Sequence, residues 1–252
     1  MSRLALLVLA ALSLVPARGE ILSIAAASNF TVALEALTAE FKKYSPKTSV
    51  LTATGASGSI VAQVQNGAPF DVFLSADLES PQALIKAREA NGATLTNFAT
   101  GRLVLWTTRP RLEFKTVTDA LADPAVKKIA VANADTAPYG RAARAALEKL
   151  GGWADVKPKL VVGENITQTA QFVETGSADL GFVAMSAVLS PKLKNKGRWI
   201  EVPAELYPPM IHAAVLTNRG AKKAAAKEFL EFLHTPMAQE VLKSFGYGVP
   251  AK

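Results

Sequence analysis

The chain has 252 residues, half of them hydrophobic, with 28 basic and 21 acidic side chains, two histidines and no cysteine. That is enough apolar material for one large domain or two lobes, and too much for a disordered chain. The lack of cysteine excludes disulfides, thiolate metal sites and a cysteine nucleophile. The lysines are scattered and form no basic stripe interleaved with aromatics, so nucleic-acid binding finds no support.

At the start, Met1-Ser2-Arg3 is followed by the apolar and small-residue run Leu4 to Val15, and then by Pro16-Ala17-Arg18-Gly19. This is the layout of a secretory signal peptide, too short to span a bilayer comfortably, and it predicts cleavage near Gly19. No later segment reaches transmembrane length without charges, so the exported chain is expected to be soluble. Without Arg3 and Arg18 the formal charge falls from +7 to 26 − 21 = +5, a mild positive field that draws in anions.

Strand and helix patterns then alternate. Ile21–Ala26 reads as a strand and Phe30–Tyr44 as a helix with Phe30, Ala33, Leu34, Leu37 and Phe41 on one face. Thr48–Thr54 (strand), Ser59–Gln65 (helix), Asp71–Leu74 (strand) and Pro81–Ala90 (helix) complete a β-α-β-α-β-α series, the signature of a parallel sheet covered by helices. A second series follows: strands at Leu103–Thr107, Ile129–Ala132, Leu160–Val162, Leu180–Val183 and Ile200–Val202, with helices at Val117–Ala122, Pro138–Leu150 and Thr167–Thr175. His212–Thr217 reads as a further strand, and Ala221–Leu233 and Pro236–Phe245 as two final helices. The fold expected is α/β and two-lobed, each lobe a mixed, mainly parallel sheet flanked by helices.

In open α/β sheets ligands sit beyond the carboxyl ends of the strands. Four strand-to-helix turns there carry small or amide residues: Ala27-Ser28-Asn29, Gly55-Ala56-Ser57-Gly58-Ser59, Thr136-Ala137-Pro138-Tyr139-Gly140 and Glu164-Asn165-Ile166-Thr167. A helix start offers unpaired N–H groups and partial positive charge, which suits an oxyanion. Each turn alone is equally an ordinary cap; four of them on two lobes could face one cleft. The second turn is neither a G-x-S-x-G elbow, since Ser59 replaces the last glycine, nor a P-loop, since it has no lysine. His212 and His234 have no partner histidine at ligand spacing, which argues against zinc and for structural or surface roles. Asp71 and Asp77 suit capping and turn roles better than acid–base work, and Trp106, Trp153 and Trp199 suit core or hinge packing.

The stretches "AAASNF", "GASGS", "NGAPFDVFLSAD", "FATGRLVLW", "APYGRAARAALEKLG", "GENITQTAQFVETGSADLGFV" and "FGYGV", in this order, resemble the periplasmic molybdate-binding proteins of ABC transporters, within the type 2 periplasmic-binding-protein fold. The resemblance covers the whole chain after residue 19. It implies a first lobe over 20–101, a second over 102–210, and a return to the first over 211–252, with hinges near Thr100–Leu103 and Tyr207–Ala213. It further implies that Ser28, Asn29 and Ser57 bind the oxyanion from the first lobe, and Tyr139 and Ile166 from the second through backbone amides. Some members carry a tyrosine where this chain has Ala184, and Tyr139 is the residue that could replace its hydroxyl. The implied protein is a periplasmic monomer without cofactor or catalytic residues. It would pass molybdate or tungstate to a permease in the inner membrane. A fully deprotonated dianion wants donors only, so Glu164 is expected to point away. Sulfate binding, a non-transport sensor, and a hydrolase using Ser28 or Ser57 are the alternatives; no Ser-His-Asp pattern supports the last.

Overall fold

The computed structural model describes residues 20–249, and the leader expected over residues 1–19 lies outside them. In chain order come β1 (Ile21–Ala27), α1 (Thr31–Tyr44), β2 (Ser49–Gly55), α2 (Ser57–Gln65), β3 (Val72–Ser75), α3 (Glu79–Lys86) and β4 (Thr96–Gly101). Next are β5 (Leu103–Thr107), α4 (Val117–Ala122), β6 (Ile129–Ala132), α5 (Pro138–Lys149), α6 (Trp153–Val156), β7 (Leu160–Gly163), α7 (Ile166–Glu174), β8 (Leu180–Ala184), α8 (Met185–Val188) and β9 (Arg198–Glu201). Strand β10 (Met210–Leu216) and helices α9 (Ala224–Leu233) and α10 (Pro236–Ser244) close the chain.

The strands form two five-stranded sheets, one per lobe, ordered β2-β1-β3-β10-β4 and β7-β6-β8-β5-β9. Both share one plan. In the first, β1 pairs parallel with β2 and β3, while β10 pairs antiparallel with β3 and β4. In the second, β6 pairs parallel with β7 and β8, while β5 pairs antiparallel with β8 and β9. The sheets are mixed, as expected, but parallel and antiparallel pairings are balanced. The antiparallel half comes from the strands that cross between the lobes, which a β-α alternation does not reveal.

Strand β1 is inner and covered on both faces, so it reads as continuous small apolar residues rather than an alternation. Its successive side chains still point to opposite layers. Leu22, Ile24 and Ala26 meet α1, whose Phe30, Leu34, Leu37 and Phe41 stripe lies in the main core. Ala25 faces the other way, with Phe73 and Val215, onto Ile60, Val64 and Leu84 of α2 and α3. Phe41 packs edge-on to Phe229 with ring centroids 5.0 Å apart, which fastens α9 to α1. In the second sheet, Val104, Trp106, Ala130 and Val183 meet Ala170 and Val173 of α7 on one face.

Two crossings join the lobes side by side. Strand β4 hands over to β5 through Gly101-Arg102, and β10 lies against β4 with Met210 opposite Gly101 and Ile211 opposite Thr100. Tyr207 caps this junction, its hydroxyl accepting from Leu103 N–H at 3.2 Å. Strand β4 and the short helices α6 and α8 went unrecognised in the sequence pattern, and α2 begins at Ser57, two residues earlier than expected.

Asp71 has no exposed surface and makes a stronger structural contact than a turn cap. It accepts from Ser23 N–H at 2.8 Å and pairs with Lys223 at 2.7 Å and Arg219 at 3.2 Å. The cluster ties the start of β3 to the segment before α9. Asp71→Ala should therefore cost about 2–4 kcal/mol of unfolding free energy in a denaturant titration. Ligand affinity of the folded fraction should not change, because the cluster lies at the opposite strand ends from the turns considered next.

Candidate functional site

The four turns singled out in the sequence do meet. Ser28 and Asn29, Ala56 and Ser57, Pro138 and Tyr139, and Ile166 wall one cavity between the lobes, with a volume of about 10 Å³. That is far below the roughly 300–1,000 Å³ of typical organic-ligand pockets and leaves room only for a small ligand. Each lobe contributes two helix starts, and none of the lining side chains is charged.

Local sequence explains why donors remain there. The chain leaves β1 through a 3₁₀ turn, Ser28–Phe30, before α1 begins, and Ser28 and Asn29 are both buried. No protein acceptor is found for the Ser28 hydroxyl among the described residues. Ser57 opens α2, is fully buried, and its hydroxyl oxygen accepts from Ala76 N–H at 3.2 Å. Its own proton is thereby left to be donated. In the second lobe, Pro138 takes the first position of α5 and has no N–H, while Gly140 and Arg141 N–H both return to the Ala137 carbonyl. Tyr139 N–H is left over. Gly140 is obligatory here, because a Cβ on it would overlap the Ala132 carbonyl at the end of β6. At α7, the Asn165 side chain accepts from Thr167 and Gln168 N–H at 3.0 and 3.1 Å, so the cap spares Ile166 N–H.

The Tyr139 ring reaches away from its helix start toward the lobe crossing. A Cβ on Gly101 would strike both the Tyr139 hydroxyl and the His212 ring. Burial first, then the Tyr247 and Tyr207 hydroxyls, push its pKa well above the usual value, so it stays protonated. Ala184 is the last residue of β8, one residue beyond the expected strand, and has no hydroxyl. Glu164 is exposed, its N–H bonded to the Gln168 side chain at 2.6 Å. Asp77, next to lining residue Ala76, is occupied: it accepts from the Ser75 hydroxyl and Ser80 N–H, both at 2.9 Å, and pairs with Arg141 across the cleft. It is thus both cap and interlobe ion pair, and forms no dyad with Asp71. His234 is distant, contacting Thr96 at the end of α9. Among the described residues no group of three or more histidine, aspartate or glutamate side chains could hold a metal ion.

The residue that sequence reasoning undervalued is His212. It is fully buried in β10 behind the first turn, and burial drives its pKa from 6.5 down to about 3. Tyr247 donates its hydroxyl proton to the Asn29 carbonyl at 2.8 Å, so the Asn29 group facing that hydroxyl at 3.0 Å must be a donor. This fixes the amide orientation. Asn29 Nδ2 also faces His212 Nε2 at 3.2 Å; with Nε2 as the acceptor, the imidazole proton sits on Nδ1, which has no hydrogen-bond partner among the described residues. Phe30 packs against the group, stacked on Tyr247 and edge-on to His212. The only hint in sequence was an isolated polar residue in an apolar strand.

The depressed His212 pKa gives a definite sign. As pH falls through 6.5 the unfolded chain takes up a proton that the native state refuses until about pH 3. Stability is therefore lost progressively across that window. His212→Gln should make the decline shallower than in the parent, as read from unfolding free energies at pH 7, 5 and 4.

Known proteins share this sequence pattern and fold. A molybdate-binding protein of Azotobacter vinelandii is 38% identical over 99% of this chain and 98% of its own length. One of Rhodobacter capsulatus is 39% identical, covering 96% and 94%. The solved structure of the Azotobacter vinelandii periplasmic molybdate-binding protein superposes with a TM-score of 0.86 over 91% of this chain and 100% of that one, at 34% identity. The sulfate-binding protein of Mycobacterium tuberculosis, with a TM-score of 0.73 at 14% identity, shares the fold alone. Residues 22–248 match the family model of the bacterial extracellular solute-binding proteins, and the chain belongs to that family.

Proposed function

We propose that this chain is a periplasmic solute-binding protein that encloses molybdate between its lobes and delivers it to an ABC permease. The observation that carries the reading is the convergence of four helix starts on one small cavity with no charged side chain in its wall. Ser28 and Ser57 offer hydroxyl protons, Tyr139 and Ile166 offer backbone N–H groups, and Asn29 completes the first-lobe turn. Such a site satisfies a tetrahedral dianion, which accepts hydrogen bonds at every oxygen. It is hostile to hydrogen phosphate, whose proton would face donors. Tungstate matches molybdate in charge and shape and belongs to the same ligand class. Sulfate has the same donor requirement and is separated by size. The likeness to molybdate-binding relatives supports molybdate over sulfate for this chain.

The chain acts as a carrier rather than a hydrolase on this reading. A serine nucleophile needs a base, and His212, the histidine nearest this site, is turned to Asn29. The leader-like residues 1–19 fit export with cleavage, and the protein is proposed to work as a monomer.

Calorimetric titration of residues 20–252 with molybdate, tungstate, sulfate and phosphate tests the reading. Tight one-to-one binding of the first two, weak sulfate and no phosphate is expected; tight phosphate binding, or none of the four, would overturn it. Ser57→Ala removes one hydrogen bond to a charge and should weaken molybdate binding by about 1–3 kcal/mol in the same titration. Unchanged affinity would remove Ser57 from the site.

A further inference from the structure

Two lobe-2 hydroxyls contact lobe 1 at the anion turn itself, without being among the proposed ligand donors. Thr167 Oγ1, one residue into α7 from Ile166, donates to the Ser28 carbonyl at 2.9 Å. Ser186 Oγ, in α8, donates to the Asn29 carbonyl at 2.9 Å. On the other side of the cavity, Gly58 N–H donates to the Thr136 carbonyl at 2.9 Å. We propose that Thr167 and Ser186 are positioning residues that latch the lobes shut and set anion affinity through the closed state. This rests on the binding function proposed above.

The acceptors are built for reversible use. The Ser28 carbonyl also accepts from Thr31 N–H and, at 2.7 Å, from Thr31 Oγ1, both within lobe 1. The Asn29 carbonyl also accepts from Tyr247, which stays with lobe 1 because Gly248 bridges to Thr100 of β4. When the lobes part, neither carbonyl is orphaned, and the two hydroxyls are free to bond water. Opening therefore escapes the penalty of a buried unpaired acceptor. Closing adds a third bond to the Ser28 carbonyl and a second to the Asn29 carbonyl.

The first of these bonds also acts on the anion turn, through the Asn29 N–H. The Ser28 carbonyl and the Asn29 N–H belong to one planar trans peptide and point in opposite directions. A hydroxyl donating to that carbonyl aligns the unit and polarises its N–H, strengthening the donor on the other side. Latch and ligand are thereby coupled through one amide plane.

The experiment uses Thr167→Val, Ser186→Ala, their double variant, and Thr167→Ser, which keeps the hydroxyl. The double variant should bind molybdate 10- to 100-fold more weakly, through faster release, with the molybdate-to-sulfate affinity ratio unchanged. Thr167→Ser should stay within about twofold of the parent. Parental affinity in the double variant overturns the latch, as does a Thr167→Ser loss equal to that of Thr167→Val. If the parent binds none of the four anions, the binding function has failed, and X-ray scattering of the ligand-free proteins decides the latch separately. A larger radius of gyration in the double variant then supports it, and identical profiles overturn it.

Discussion

Three α-helix starts and a 3₁₀ turn brought to one point repel one another, because each α-helix start carries up to roughly half a positive charge. No carboxylate lines the cavity to offset them, and the nearest, Asp77, is already held by Arg141, Ser75 and Ser80. The arrangement persists only because each start is anchored behind: to a sheet, to a cap such as Asn165, or to a tight helix–strand contact such as Gly140 on Ala132. An anion cancels the repulsion and a permanent counter-charge would too, but the latter would occupy the site. On the binding function proposed above, a bound anion therefore favours the closed form. Binding and lobe closure become one equilibrium, with the differential affinity for the closed form as its driving term.

Neutral donors also bear on selectivity. An arginine in the cavity would bring a flexible fork able to accept many carboxylates and phosphates. Arg141 stands at the cleft but is turned to Asp77 and Glu79 of the other lobe, where it helps closure without meeting the cavity wall. Backbone N–H groups at helix starts cannot swing to follow a mismatched ligand. Their fixed directions turn a tolerance for charge into a demand for shape and size.

The parts of this design legible in sequence are the local ones. Ser28, Ser57, Pro138-Tyr139 and Asn165-Ile166 stand where strands become helices, and cap chemistry together with strand ends places all of them at the carboxyl ends of their strands. What was not legible depends on long-range contact. Asn29 and His212 are 183 residues apart, and nothing local in "MIHAAV" shows that the imidazole meets that amide. Asp71 looked like a turn residue because its partners, Lys223 and Arg219, arrive from the far end of the chain. Strand β4 was overlooked because its "TNFATG" has no aliphatic residue larger than alanine; it is a strand because β10 lies beside it. The early start of α2 has a similar origin, since Gly58 N–H finds its partner on Thr136 in the other lobe.

His212 shows which requirement prevailed behind the site. A protonated imidazole there would add long-range attraction for an anion. It would also lose the lone pair that accepts from Asn29 and would carry a buried charge with no counter-ion. The surroundings exclude that state: Phe30, Phe98, Tyr139 and Tyr247 pack around the ring, and no carboxylate is among its bonded partners. Held neutral, His212 acts as an acceptor and keeps the Asn29 amide in one orientation, while Tyr247 holds the carbonyl of the same residue. The back wall therefore contributes alignment instead of charge, and the positive potential of the cavity is left to the helix starts.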